Sequence, residues 1–233
     1  MKEIDGKKVC VITFGSENIG SYAKGAERLG NSLIEQGFKG EFIYIDDENK
    51  ISCPSHKDVQ YAFKPYCFMY AKEKGYDIVI WCDCSLWVIK PIDTVVEYIN
   101  KTGYLLFLNG WKSGEWCCDS ALPALGKTRE ETFSYRHLLA CCMGFDFTND
   151  LSNEFLRKWY DYAKEGTAFI GPHTNEERQA SSDKRVLGHR HDQTVASIVA
   201  TDLGMDKWVE GKIQYLLEDT VINDNTVFLA QGM

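Results

Sequence analysis

Residues 78–89 read IVIWCDCSLWVI, two apolar runs with one carboxylate, Asp83, and one hydroxyl, Ser85, set between them. A charged group carried to the end of an apolar run needs a partner, because burying an unpaired charge is costly. A cation or a phosphate-bearing ligand meets that need, and in an open α/β sheet ligands gather at the carboxyl ends of the strands. Asp83, with Cys84 and Ser85 beside it, is therefore the first candidate for metal or phosphate chemistry. A second stretch, residues 188–193, reads GHRHDQ and holds two of the five histidines, an arginine, an acid and an amide. It leads into Val195, Ile198, Val199 and Leu203, spaced for one face of a helix that stops at Gly204. A single capping side chain, Asp192 or His191, explains a helix start but not His, Arg, His and Gln together. The density of polar and titratable groups there predicts a site in which His191, Asp192 and Gln193 do chemistry.

Several elements must position these two stretches. A strand over residues 8–14 ends in Gly15 and Ser16, and a helix follows with Tyr22, Ala26, Leu29 and Leu33 on one face and Gly37 as its stop. With a second strand over 42–45 this makes a βαβ opening. The turn at Thr13, Phe14, Gly15 and Ser16 has neither the G-x-G-x-x-G dinucleotide pattern nor the Lys-Ser/Thr ending of a P-loop. Residues 47–58, which include His56, carry no assigned chemistry. A helix from Phe63 through Ala71 puts Lys64, next to Pro65, at its start, where its ammonium can be presented. Further on, Asp93 is expected to cap a helix ended by Gly103, a strand covers 104–108, and a long irregular loop runs to about Lys127. A strand over 137–147 contains Gly144, and glycine in a strand marks a bulge or a close approach. Ser152 is expected to cap the next helix. Residues 167–184 form a polar segment suited to a lid or acceptor loop. Short strands are expected within 208–217 and 221–229.

Composition narrows the classes. A chain of 233 residues with 44% hydrophobic content can bury one substantial core, and 1–233 reads as a single domain. The net charge of -8 argues against nucleic acid as a partner. Residues 9–14 are too few for a membrane span of roughly 20 residues and read as a first strand rather than a leader, so no integral membrane segment and a cytoplasmic location are expected. The nine cysteines are odd in number, mostly inside apolar runs, and lack zinc-pair spacing, so they read as buried free thiols.

The stretch Asp83-Cys84-Ser85, followed by Trp87-Val88-Ile89-Lys90-Pro91-Ile92-Asp93, resembles the metal motif of GT-A glycosyltransferases, with serine where the family has its second acid. The opening Asp192-Gln193 of the late helix is similar to the corresponding element of the glycogenin and galactosyltransferase group. The resemblance implies an α/β GT-A fold, with a mixed, mostly parallel sheet and helices on both faces. It implies transfer of a hexose or pentose from a nucleoside diphosphate sugar, UDP-sugars favoured, to a hydroxyl of a glycan or glycoconjugate. Under it Mn2+ or Mg2+ sits at Asp83 and Ser85, and Thr13, Phe14, Gly15 and Tyr22 lie by the nucleoside. Asp46 or Asp47 touches base or ribose, and Lys64 contacts the diphosphate or an acid of the site. Met143 and Gly144 form a floor under the donor sugar. Asp192 holds sugar hydroxyls and Gln193 lies near the anomeric carbon, which favours retention; His191 or Asp192 would be the base of an inverting enzyme. No histidine follows His191, so a histidine on the metal would have to be His189 or His191. A non-catalytic nucleotide-sugar or glycan-binding module of the same fold is the alternative. Nucleotidyltransfer is weakened by the lack of a glycine-rich basic loop after strand one.

Overall fold

A computed structural model describes residues 3–16, 20–209, 214–216, 222 and 224–230. Its central element is β4 (Ile78–Cys82), five residues buried throughout. Complete burial of such side chains contributes about 1.5–3 kcal/mol each, which makes β4 an anchor for whatever follows it. On one side β4 pairs in parallel with β2 (Lys7–Phe14), and β2 pairs in parallel with β3 (Glu41–Ile45). On the other side it pairs antiparallel with β7 (Arg136–Asp146), which pairs antiparallel with β6 (Tyr104–Lys112). The order of these five strands is thus β3-β2-β4-β7-β6, and of the five β7 alone is reversed. Ahead of β3, the short β1 (Glu3–Ile4) folds back on β2 through Asp5 and Gly6, both at positive φ, as an Asp-Gly hairpin turn requires.

Strand side chains alternate between faces, and the two faces have separate cores. Cys10, Ile12, Phe14, Val79 and Trp81 join one; Val9, Val11, Ile78, Ile80 and Cys82 join the other. The first face is covered by α2 (Phe63–Glu73), α6 (Asp150–Glu165) and α7 (His191–Asp202), the second by α1 (Gly20–Glu35) and α3 (Asp93–Thr102). β5 (Leu86–Val88) lies on the second face in a small sheet with β9 (Thr226–Ala230) and β8 (Gln214–Leu216). The chain therefore has the mixed α/β architecture, with a mostly parallel central sheet, that its central motif implied. No helix among the described residues is long and apolar enough to cross a membrane.

Several local expectations change. Asp93 is the first helical residue of α3 rather than its cap, while Gly103 ends that helix at φ 88, donating its N–H to Ile99 O. Asn149, not Ser152, caps α6 by accepting from the N–H groups of Leu151 and Ser152; Ser152 Oγ instead donates to Gly103 O. β6 runs four residues past Leu108, and the loop beyond it is ordered into α4 (Ala121–Leu125) and α5 (Arg129–Ser134), whose Thr128 and Glu131 form a capping box. All nine cysteines are unbridged. Of the two late strand runs, residues 210–213, 217–221 and 223 lie outside the described residues.

Candidate active site

The parallel strands β2, β3 and β4 end together, and the residues that follow them meet at one edge. Asp83 follows β4 in the same alternation as Val79 and Trp81, so it faces the helices of the first core. There α2 brings Lys64 and α7 brings Asp192. The Lys64 ammonium, on a residue only 4% exposed, lies 3.2 Å from Asp83 Oδ1 and 3.1 Å from Asp192 Oδ2. It donates an aligned hydrogen bond to the carbonyl O of Ala140 (3.0 Å). Trp81 Nε1 donates to Asp83 Oδ1 (2.7 Å). One cation thus serves two carboxylates.

The carboxylates differ in what surrounds them. Asp83 keeps 32% of its side chain exposed and lines a cavity of about 760 Å³. Asp192 is 5% exposed, and its Oδ2 has no aligned hydrogen-bond donor among the described residues, although the ammonium is near. Burial raises the Asp192 pKa to about 6, against the pull of Lys64, and the Asp83 charge adds to the rise. Burial likewise opposes the Lys64 charge, but Asp192 and then Asp83 outweigh it and hold Lys64 protonated above its ordinary value. The two partners' shifts are both upward for different reasons: two anions outweigh burial at Lys64, whereas burial outweighs the shared cation at Asp192.

α7 opens without a side-chain cap: the capping position is Arg190, and neither His191 nor Asp192 caps it. Its start is held from outside. Trp159 Nε1 donates to Asp192 O, Thr194 Oγ1 donates to Trp116 O, and Leu138 N–H donates to Ser197 Oγ. Ala140 N–H donates to Gln193 Oε1 (3.4 Å), which fixes the amide and turns its NH2 to donate elsewhere. Ala140 thus touches both Lys64 and Gln193 through its backbone.

The cavity is walled by rings. Phe14 stacks on Phe63 (4.4 Å between centroids, 19°), Phe63 leans on Trp81 and Tyr61, and His56 stands edge-on to Tyr61. Tyr61 stacks on His191 (5.4 Å, 28°). Tyr22, Gly15 and Ser16 close the end by β2, and Cys84 and Ser85 the end by Asp83. Burial, ahead of Asp192, raises the Tyr61 pKa, so its phenol stays protonated. Burial also raises Cys84, to about 11, which keeps it a thiol.

Of the residues expected at a site, Phe14, Gly15, Tyr22, Lys64, Asp83, Cys84 and Ser85 line this cavity, with Asp192 behind Lys64 and Gln193 beside Ala140. Others lie apart. Thr13 is fully buried, its hydroxyl without a partner among the described residues. Asp46 pairs with Lys50, and Asp47 caps the following turn by accepting from Asn49 N–H. Met143 and Gly144 sit deep in β7, opposite Trp81 and Ile80. A Cβ on Gly144 would meet Ile99 Cδ1 at 2.5 Å, so glycine there lets α3 pack close against β7. His191 has both ring nitrogens engaged and is 1% exposed. His189 is fully buried, one ring nitrogen against Ala168 O. Among the described residues no three His, Cys, Asp or Glu side chains gather as a metal cage. What Asp83 and Ser85 offer is one carboxylate and one hydroxyl. These hard oxygens match Mn2+ or Mg2+ in kind but leave most of its shell to diphosphate oxygens and water.

Sequence reasoning missed His56, Tyr61, Phe63 and Trp81 as cavity walls. The closely spaced aromatics at 61 and 63 were a usable signal; His56 had none, since only the fold brings it to Tyr61.

No protein-family model matches this chain, and no curated protein sequence matches it. Solved structures do. A glycosyltransferase involved in the glycosylation of the major capsid of PBCV-1 superposes with a TM-score of 0.57 at 12% identity, covering 96% of this chain and 93% of that one. Mouse xyloside xylosyltransferase 1 (TM-score 0.48, 10% identity, 90% and 87% covered) and the galactosyltransferase LgtC with donor and acceptor sugar analogs (0.42, 11%, 95% and 86%) are looser likenesses, too loose to bear on the site. The chain has the GT-A fold.

Proposed function

We propose that this protein transfers a sugar from a nucleoside diphosphate donor to a hydroxyl acceptor. The observation that carries the reading is the shared ammonium. Lys64 joins the strand-end Asp83 to the buried Asp192 at the wall of an aromatic cavity large enough for a nucleotide sugar. The Phe14 and Phe63 rings suit a planar base, and the Asp83 end suits the diphosphate. Asp192 Oδ2, without an aligned donor among the described residues, suits a hydroxyl of a sugar; a buried acceptor left unmatched is costly, and a hydroxyl donor relieves that cost. Gln193 lies on the same helical turn, and its free NH2 is the group we assign to the region of the anomeric carbon, with retention of configuration. Bound at Asp83 with Ser85, a divalent ion, Mn2+ or Mg2+, would neutralise charge on the departing diphosphate. Lys64 adds a fixed positive charge close by, whichever ion is present.

The test is a panel of UDP- and other nucleotide sugars with and without Mn2+, scoring binding by calorimetry and release of free nucleoside diphosphate. Turnover that depends on donor identity is expected. Binding without release, in every acceptor mixture tried, would instead support a nucleotide-sugar-binding module that has serine where a second acid stands in GT-A enzymes. NMR of the product's anomeric proton decides between retention and inversion.

A further inference from the structure

Among the groups that line the cavity, His56 is a polar one that the sugar-transfer reading leaves unused. It sits on the turn before α2, which closes where Asp58 and Val59 N–H donate to Ser55 O. Tyr61 N–H donates to His56 Nδ1 (3.1 Å). A backbone N–H only donates, so Nδ1 is the lone pair, and the proton of a neutral imidazole sits on Nε2. Burial, ahead of the opposing pull of Glu48, lowers the His56 pKa from its ordinary 6.5, and His173 pushes it the same way, so near neutrality the ring is uncharged. Nε2 itself has no hydrogen-bond partner among the described residues. The cavity therefore holds a neutral N–H donor that cannot turn acceptor without breaking the contact to Tyr61.

The donor is also fixed in place. Besides binding Nδ1, Tyr61 sets its phenol ring edge-on to the imidazole (4.7 Å, 85°). Tyr61 holds left-handed backbone, φ 59, which persists in a residue other than glycine only where its surroundings fix it. The His56 ring lies 5.9 Å from the Phe63 ring, tilted by 34°, and Phe63 stacks on Phe14. A planar base laid on this Phe14–Phe63 wall turns its rim towards His56.

We propose that His56 reads the base of the donor: its Nε2–H donates to an exocyclic carbonyl oxygen and so selects uracil or guanine over adenine. The inference rests on the sugar-transfer reading and deepens it, from any nucleoside diphosphate to one with a keto-bearing base. The physical reason is polarity. Uracil O2 and O4 and guanine O6 accept hydrogen bonds, whereas the exocyclic group of adenine is an amine, which sets a donor against a donor. A mismatch leaves both groups unpaired, which costs more than the missing bond alone. Because the imidazole is already held, little freedom is lost when a matching base binds.

The test is calorimetry on the full chain at pH 7.5 with Mn2+ present and UDP, GDP and ADP as probes. UDP or GDP should bind about tenfold more tightly than ADP. His56→Leu should weaken that keto nucleotide about tenfold and ADP less than about twofold. A turn merely disturbed by the substitution would weaken all three alike. His56→Gln, whose amide NH2 can stand where Nε2–H stood, should restore most of the preference. Long-range proton–nitrogen NMR on the wild-type chain should show His56 with Nε2 protonated and Nδ1 bare at neutral pH. Equal losses for the three nucleotides, a preference that survives in His56→Leu, or the opposite tautomer overturns the assignment, while turnover of nucleotide sugars by the wild-type chain would leave sugar transfer standing. Absence of both binding and turnover for every nucleotide and nucleotide sugar tried overturns the sugar-transfer reading, and this inference with it.

Discussion

Asp83 and Asp192 answer to the same ammonium, yet the ends of β4 and α7 treat them differently. At the end of β4 the carboxylate emerges from a fully buried strand into a cavity, so solvent and ligand can reach it. At the opening of α7 the carboxylate is enclosed, its Oδ2 lacks an aligned donor among the described residues, and burial pushes its pKa up to about 6. The difference lies in which side of Lys64 each occupies. Under the proposed function, one acid would meet the charged diphosphate and the other would be completed by a sugar hydroxyl. A site for a molecule with an anionic half and a polyhydroxyl half needs both kinds.

The largest expected effect comes from removing what the two regions share. Lys64→Met leaves two carboxylates facing each other without a cation, and breaking a buried pair in this way costs about 3–5 kcal/mol. Urea unfolding at pH 7.5 should show that loss, and it should shrink at pH 5, where Asp192 takes up a proton. An equal loss at both pH values would mean that Asp192 is not the group left uncompensated.

Asp83→Ala is next, and its effect should fall on function. A decrease of about 100-fold in transfer is expected, with unfolding free energy changed by less than about 1 kcal/mol because the side chain is a third exposed. Should the fold collapse instead, the contrast drawn here between an exposed acid and an enclosed one would be lost.

The third effect is a pH dependence assigned to Asp192. Its folded pKa, about 6, stands above its ordinary value of 3.8. A raised pKa means that the folded state binds the proton more tightly than the unfolded state. The stability this group contributes is then fully present below about 4 and lost as pH rises through about 6. The drop should be up to about 3 kcal/mol, and the difference in unfolding free energy between wild type and Asp192→Asn should trace it. A flat difference across pH 4–7 would show that Asp192 is ionised as easily as a surface acid.

The smallest is Gln193→Ala, expected to slow transfer about tenfold, or ~1.4 kcal/mol, with little change in donor affinity. If both Gln193→Ala and Asp192→Asn lose less than that, the opening of α7 serves only to fix a helix to β7.

The apolar run of β4, the βαβ opening, the helix carrying Lys64 and the polar opening of α7 were legible from the chain alone. Each is encoded locally, in side-chain periodicity and in glycine stops, and so was the presence of an unaccompanied acid at a strand end. The caps expected at Asp93 and Ser152 were misplaced: α3 opens at Ile92 with no side-chain cap at all, and at α6 Asn149 caps in place of Ser152. Long-range facts were out of reach. That Asp83 and Asp192, over a hundred residues apart in sequence, share one ammonium follows from strand alternation combined with which helices cover that face. That Gly144 lies against Ile99 depends on where α3 lies. That His191 is buried while His173 is exposed depends on how residues 167–190 fold over α7. Sequence by itself determined which residue types were available and which segments would be buried. Only the tertiary structure decided which charges meet, because pKa, burial and hydrogen-bond polarity are set by neighbours that the chain brings together from far away.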